Sequence, residues 1–326
     1  MNHSPAIQII QVRHRYGQRE VLHGLSVDVT RGTFVALLGP NGSGKSTLFR
    51  LICTLIPLQS GQILVDGLDV VRQRDDVRRR LGVLFQSPAL DKHLTVRENL
   101  QCHGHLYGIR GKSFLERSHD LLERFGLLER ADEPVGDLSG GMRRKVELVK
   151  VLIPEPDVLL LDEPSTGLDV VARIEFWKIL LELRQKTGLT VLLTTHLMDE
   201  ADRCDRVAIV DQGRLLDHAS PETLKSKVGG QVVTLRGSDP EQLEQWIEQN
   251  TSTRVFRDGD ILRFEHPNAH HWIPQLMDSM PGLIHSISIS RPTLEDVFIH
   301  LTGRKLDSIT QTEPAPDSDT RVIVTA

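Results

Sequence analysis

Gly39-Pro40-Asn41-Gly42-Ser43-Gly44-Lys45-Ser46 is the stretch whose reading decides the fold. It follows TFVALLG (33–39), which reads as a buried strand, and opens STLFRLICTL (46–55), which reads as a helix stopping before Pro57. A strand, a glycine-rich turn and a helix in that order make a loop whose backbone N–H groups point inward at phosphate oxygens, with the positive helix end behind them. Gly39, Gly42 and Gly44 permit the backbone conformations this requires, with Asn41 between them. In such a phosphate loop Lys45 reaches the β- and γ-phosphates of a nucleoside triphosphate, the Ser46 hydroxyl ligates Mg²⁺ and Thr47 adds a phosphate contact.

Working outward, IQIIQV (7–12) and VLHGLSVDV (21–29) read as antiparallel strands feeding the buried one. Between Gly61 and Gln86 come a turn-rich strand pair, a basic helix around Asp75–Arg80 and the strand GVLFQ. From about Thr95 to Leu128 the pattern is helical, and Thr95-x-x-Glu98 resembles a capping box. Residues about 87–150 are expected to form an inserted helical lobe. Strand patterns return at Val158–Leu161, Thr190–Thr195 and Val207–Val210 with helices between them, the alternation of a mostly parallel α/β sheet. Past Lys227 the order changes to βαββαβ: VVTLR, a helix over about Pro240–Gln249, TRVFR and ILRFE joined at Asp258-Gly259, a helix over about Ala269–Ser279, and LIHSISIS. That is the order of a ferredoxin-like unit, followed by a last helix near Pro292–Leu301. The expected fold is thus an α/β P-loop NTPase domain over 5–226, with an antiparallel β subdomain, and a small C-terminal α+β unit over 230–304. Residues 305–326, with EPAPDSDT, lack periodicity and are expected to form a mobile tail.

Composition narrows the partners. The 326 residues carry 39 Lys+Arg against 44 Asp+Glu, a formal charge of -5, so the broad basic field of a general nucleic-acid binder is missing. Cys53, Cys102 and Cys204 form no CxxC pair, which fits a reducing compartment. No window approaches the roughly 20 apolar residues that cross a bilayer, so the chain is expected to be soluble by itself. His266, His270 and His271 make a poor metal set, because Pro267 interrupts any helix joining the first two and adjacent histidines point apart.

VLLLDEP (158–164) is an apolar strand ending in two acids, placed where ligands of α/β sheets sit. Asp162 suits the acceptor for Mg²⁺-bound water, and Glu163 suits the general base that polarises attacking water. TVLLTTH (190–196) ends in His196, an imidazole able to hydrogen-bond the γ-phosphate and hold Glu163 and water. Gln86 is similarly placed at a strand end, as a Mg²⁺ or water contact. Tyr16, before Gly17, reads either as an adenine-stacking ring or as an ordinary strand aromatic.

LSGGMRRK (138–145) sets Ser139, Gly140 and Gly141 at a helix start. A hydroxyl donor and two glycines there make a second phosphate cradle. A triphosphate already held by the phosphate loop needs no second cradle in its own subunit, so a partner's nucleotide is the natural ligand. The basic trio Arg143-Arg144-Lys145 reads either as nucleotide-proximal or as a solvated helix face.

Together the phosphate loop, LSGGM, LLLDEP, GLD (167–169) and the histidine strand end resemble, in order and spacing, the ATP-binding cassette family over residues about 5–225. The resemblance implies ATP with Mg²⁺ as ligands and a head-to-tail dimer, here a homodimer, in which each SGG completes the ATP site of the other subunit and Asp169 links the two sites. It also implies peripheral attachment at the cytoplasmic face of the cell membrane, through separate transmembrane permease subunits. Met142 departs from the family's commonest signature, which has Gln there, and offers less polar contact. SGGMRRK with RPTLEDVFIHLTGR (291–304) is similar to the branch that exports drugs, polysaccharides or lipids. The expectation is an ATPase subunit of an exporter, docking its permease through residues about 86–106. The alternative, a cassette ATPase acting on DNA or the ribosome, usually carries two cassettes or a long coiled coil, and this chain has one cassette and no sustained heptads. The C-terminal unit reads as a dimer contact, a ligand sensor or a stabiliser.

Overall fold

The computed structural model describes residues 5–87, 89–251 and 253–305. The expected tail beyond 305 lies outside the described residues. The chain opens with β1 (Ile7–Tyr16) and β2 (Arg19–Val29), paired antiparallel, then the wholly buried β3 (Phe34–Leu38) and α1 (Lys45–Ile52). Helix α1 stops three residues short of the expected Leu55. Thr54 turns left-handed (φ 59) and Leu55 N–H closes back on the Arg50 carbonyl, an end motif that takes up the last helical acceptors.

Next come β4 (Ser60–Val65), β5 (Leu68–Asp69), α2 (Arg74–Arg80) and β6 (Leu81–Leu84). Three helices follow: α3 (Val96–Leu106), α4 (Gly111–Arg124) and α5 (Gly140–Leu152). The capping box of α3 is formed, Thr95 Oγ1 accepting from Glu98 N while the Glu98 carboxylate takes Thr95 N–H. Then β7 (Val158–Asp162), α6 (Val170–Thr187), β8 (Thr190–Thr195), α7 (Met198–Ala201), β9 (Arg206–Asp211), β10 (Arg214–Ala219) and α8 (Pro221–Lys225) complete the larger part.

The central sheet has six strands in the order β10-β9-β3-β8-β7-β6, parallel except for β10. A second sheet, β2-β1-β4-β5, is antiparallel. Side chains of a strand alternate between faces, and here both faces are covered. Phe34, Ala36 and Leu38 of β3 join Leu159 and Leu161 of β7 in a core shared with the helical lobe and α6. Val35 and Leu37 join Val158 and Leu160 in a core shared with α1 and the antiparallel sheet. That explains why VALL and VLLL are apolar without a break.

The C-terminal part is β11 (Gln231–Gly237), α9 (Pro240–Thr251), β12 (Phe256–Asp258), β13 (Ile261–His266), α10 (Ala269–Ser279), β14 (Ile284–Ser290) and α11 (Leu294–Thr302). Its sheet runs β12-β13-β11-β14, antiparallel throughout, which is the ferredoxin-like arrangement, and closes its own core around Leu243, Ile247, Phe264 and Trp272. Helix α11 behaves differently from that unit. Its Leu294, Val297 and Phe298 pack into the core of the larger part beside Leu224 and Val228.

Candidate functional site

Because β3, β8, β7 and β6 run parallel, their C-terminal ends share one sheet edge. The phosphate loop leaves β3, Asp162 and Glu163 end β7, His196 follows β8 and Gln86 follows β6.

Close backbone approach dictates the glycines of the loop. A Cβ on Gly39 would lie 2.1 Å from the Val210 carbonyl oxygen, and one on Gly44 (φ +99) would lie 2.8 Å from both Val21 O and Leu22 Cδ2. Gly44 caps α1 with no side-chain hydrogen bond and no acid occupies the first turn, so the first amides of the helix are left for an anion. Ser46 and Thr47 stand in that turn, Ser46 exposed; Asn41 and Gly42 (φ +79) form the exposed crest. Lys45 is buried, its Nζ donating to the Gly39 and Pro40 carbonyls at 2.7 and 2.9 Å. Burial pulls its pKa down to about 8, against the opposing pull of Glu163 and Asp162. Tyr16 is 46% exposed and meets His14 edge-on at 4.8 Å. His14 pairs in register with Leu22, the neighbour of Gly44, so the Tyr16 hairpin end lies beside the loop.

The acids are held by β8. Thr194 Oγ1 donates to Asp162 Oδ1 at 2.5 Å and accepts from Glu163 N at 3.0 Å. Burial pushes the Asp162 carboxyl up, and Glu163 adds to that; the Thr194 bond, Lys45 and Arg50 oppose it. Glu163 has φ 45, a left-handed backbone costing a non-glycine residue about 1–3 kcal/mol. Three groups converge on its carboxylate. Gln86 Nε2 and Thr166 Oγ1 donate to Oε2 at 3.1 and 3.2 Å, while His196 Nδ1 stands 3.3 Å from Oε1, off the hydrogen-bonding line.

Ser139 caps α5, its Oγ accepting from Met142 N at 3.2 Å. That uses one lone pair, and the hydroxyl proton stays free to donate. A Cβ on Gly140 would meet nothing within 4 Å, whereas one on Gly141 would strike Ala172 Cβ at 2.8 Å. Ala172 N is the amide that Asp169 accepts, at 2.8 Å, as the cap of α6. The starts of α5 and α6 are therefore packed as one surface. Among the described residues no hydrogen bond or ion pair joins 138–145 to 39–47. The helix packs on β6, three strand spacings or about 14 Å across the sheet from β3.

The ABC transporter family model matches residues 22–166, from β2 to the residues after Glu163. Over 309 residues the chain is 38% identical to the daunorubicin resistance ATP-binding protein DrrA3 of Streptomyces coeruleorubidus, covering 91% of this chain and 96% of that one. The chain belongs to the ABC transporter ATP-binding family. It is an ATP-binding cassette that hydrolyses ATP. The cassette is also 38% identical to the Nod factor export ATP-binding protein I of Ralstonia nicotianae, over 93% of this chain and 95% of the relative. Among solved structures it is similar to cbiO1 of Clostridium perfringens, part of the ABC transporter complex cbiONQ, with TM-score 0.64 and 26% identity over 77% of this chain and 97% of that one. Among the described residues no helix of the cassette is long and apolar enough to cross a membrane.

Several residues of this neighbourhood escape a reading of the sequence. Thr194 and Thr166 hold the acids, yet each is an ordinary hydroxyl in its own segment. A solvated helix face does not describe the whole basic trio. Arg144 is buried, bonding the Phe85 and Pro164 carbonyls and Glu147, each at 2.8 Å; Arg143 Nη1 donates to Leu138 O at 2.8 Å, and Lys145 pairs with Glu175. Arg144 thereby ties α5 to the residues preceding Gln86 and following Glu163. Arg304, past the end of α11, donates from Nη2 to both oxygens of Asp211 at 2.9 and 2.7 Å. Asp211 begins the turn whose Gly213 N–H donates to Ser43 O of the phosphate loop.

Proposed function

We propose that this cassette is the motor subunit of an exporter. Two copies, held head to tail by ATP, drive separate permease subunits from the cytoplasmic face of the membrane. Glu163 takes the proton of the attacking water, with Gln86 and Thr166 fixing its carboxylate and His196 standing beside it. The observation that carries this reading is the convergence of those three side chains on one carboxylate at the strand edge facing the phosphate loop.

The oxygen donors of Ser46, Asp162 and Gln86 suit a hard cation such as Mg²⁺, and the buried carboxyl of Asp162, with its pKa raised, is a group such a cation would favour in its charged form. Bound there, Mg²⁺ would neutralise charge on the triphosphate. Loss of the γ-phosphate removes contacts shared by the paired surfaces and lets the copies part. The end-to-end similarity to a drug-resistance protein and a Nod factor export protein, C-terminal part included, supports export over other uses of the cassette. Gln86 sits where the helical lobe leaves the sheet, and that supports residues about 86–106 as the permease contact.

Affinity purification from detergent-solubilised membranes tests the assignment. A polytopic membrane protein co-purifies if the reading is right; ribosomes or DNA in its place would overturn it.

A further inference from the structure

Glu200 lies outside every motif discussed above, on the short helix α7, and is 1% exposed. Its carboxylate collects donors from three separate elements. Ser165 Oγ, two residues after Glu163, donates to Oε1. Trp177 Nε1 of α6 donates to the same oxygen at 3.3 Å. Thr195 Oγ1, the residue before His196, donates to Oε2 at 2.6 Å. Thr195 Oγ1 in turn accepts Leu197 N at 2.9 Å, which shapes the chain just past His196.

A buried carboxylate without a cation is costly unless hydrogen bonds replace its hydration. Three donors do so here, and each fixes a segment that matters for the reaction. One arm holds the loop after Glu163, one holds the strand end carrying His196, and the third holds the helix that starts at Asp169 and packs against Gly141.

We propose that Glu200 is a positioning residue for ATP hydrolysis, acting through Ser165 and Thr195 to keep Glu163 and His196 in register with each other. The inference rests on the reading of Glu163 as the general base. Misplacing a base by about 1 Å costs on the order of 10²-fold in rate, whereas among the described residues no hydrogen bond or ion pair joins the phosphate loop to Glu200 directly, and Gly39 N–H meets Thr195 only at its backbone carbonyl.

Glu200→Gln keeps the shape but turns one acceptor oxygen into a donor, so the hydroxyl facing it must reverse from donating to accepting and its geometry shifts. We expect kcat to fall about 10–100-fold while KM and the Kd for ATP stay within about twofold. Ser165→Ala, which removes one arm and no charge, should lower kcat by a smaller factor, and the double variant should be no slower than Glu200→Gln alone, because both act on one path. Unchanged kcat in Glu200→Gln overturns the proposal, as does a parallel loss of kcat and ATP affinity in Ser165→Ala, the mark of a merely structural role. Should Glu200→Gln fail to fold, Ser165→Ala decides by the same kcat and affinity readings. Glu163→Gln, measured alongside, separates the two ideas. An inactive Glu163→Gln beside a fully active Glu200→Gln removes the positioning role alone, while an active Glu163→Gln removes the base assignment beneath it.

Discussion

Two helix starts of the cassette are built with glycine, the phosphate loop and the SGG start that we propose as a second cradle, and they differ in almost everything else. The loop before α1 is enclosed: Gly39 and Gly44 press against Val210, Val21 and Leu22, Lys45 is buried, and two carboxylates stand at the same sheet edge. The SGG surface before α5 is open. Ser139 and Gly140 are exposed, a Cβ on Gly140 would touch nothing, and the acid beside it, Asp169, caps a neighbouring helix. The enclosed cradle has what is needed to hold a triphosphate and attack it. The open one offers donors only, which is what the proposed pairing with another copy's nucleotide requires.

Four substitutions or conditions bear on that contrast. Glu163→Gln should have the largest effect, lowering turnover by about 10³-fold because the base is lost, with ATP affinity retained; single-turnover hydrolysis beside equilibrium nucleotide binding separates the two. Gly44→Ala strikes the enclosed cradle, where φ +99 and two 2.8 Å contacts leave no room. ATP affinity should fall by about 10–100-fold, the equivalent of roughly 1–3 kcal/mol of strain, as titration with a fluorescent ATP analogue would register. Gly140→Ala strikes the open cradle, where the fold has room and a helix prefers alanine. Its melting temperature should hold or rise, by up to about 1 kcal/mol in stability, while turnover falls about tenfold, the 1.4 kcal/mol or so of one charge-assisted bond. A marked loss of stability in Gly140→Ala would erase the contrast.

The smallest effect concerns pH. With its pKa pulled down to about 8, Lys45 loses its charge in the nucleotide-free chain as pH rises through that value, and triphosphate binding then requires a proton to be taken up. ATP affinity measured in EDTA should be flat below pH 8 and weaken by at most about tenfold per unit above it. Stability moves the other way. The unfolded lysine keeps its proton up to about 10.5, so between the two values the unfolded chain binds more protons and the nucleotide-free fold gains stability with rising pH. An affinity constant to pH 9.5 would show that Lys45 is not charge-limited.

The difference between the cradles also marks what was legible in the sequence. Gly39–Ser46 and the apolar runs of β3 and β7 could be read because local chemistry dictates them: glycine where backbone crowds backbone, and no polar residue where both faces of a strand are covered. The SGG start was equally plain as a helix terminus. The residues that hold these pieces in place were not readable, because their partners are distant in the chain. Thr194 meets Asp162 across 32 positions and Ser165 meets Glu200 across 35. Arg144 looked like one charge in a basic run until the fold buried it between Phe85 and Pro164. Helix α11 shows the same limit at larger scale, since its apolar stripe announces a buried face but not that the face belongs to the core of the larger part.

The central claim is that the open cradle of one chain completes the enclosed cradle of another. Its most direct measurement is the mass in solution of Glu163→Gln, with and without saturating ATP, beside the same variant carrying Gly140→Glu, which sets a carboxylate where phosphate would rest. Glu163→Gln should pass from a species of 36.6 kDa to one of twice that mass when ATP is added, and the double variant should bind ATP yet stay single. A Glu163→Gln chain that remains single at saturating ATP, or a double variant that pairs as readily, would contradict the account.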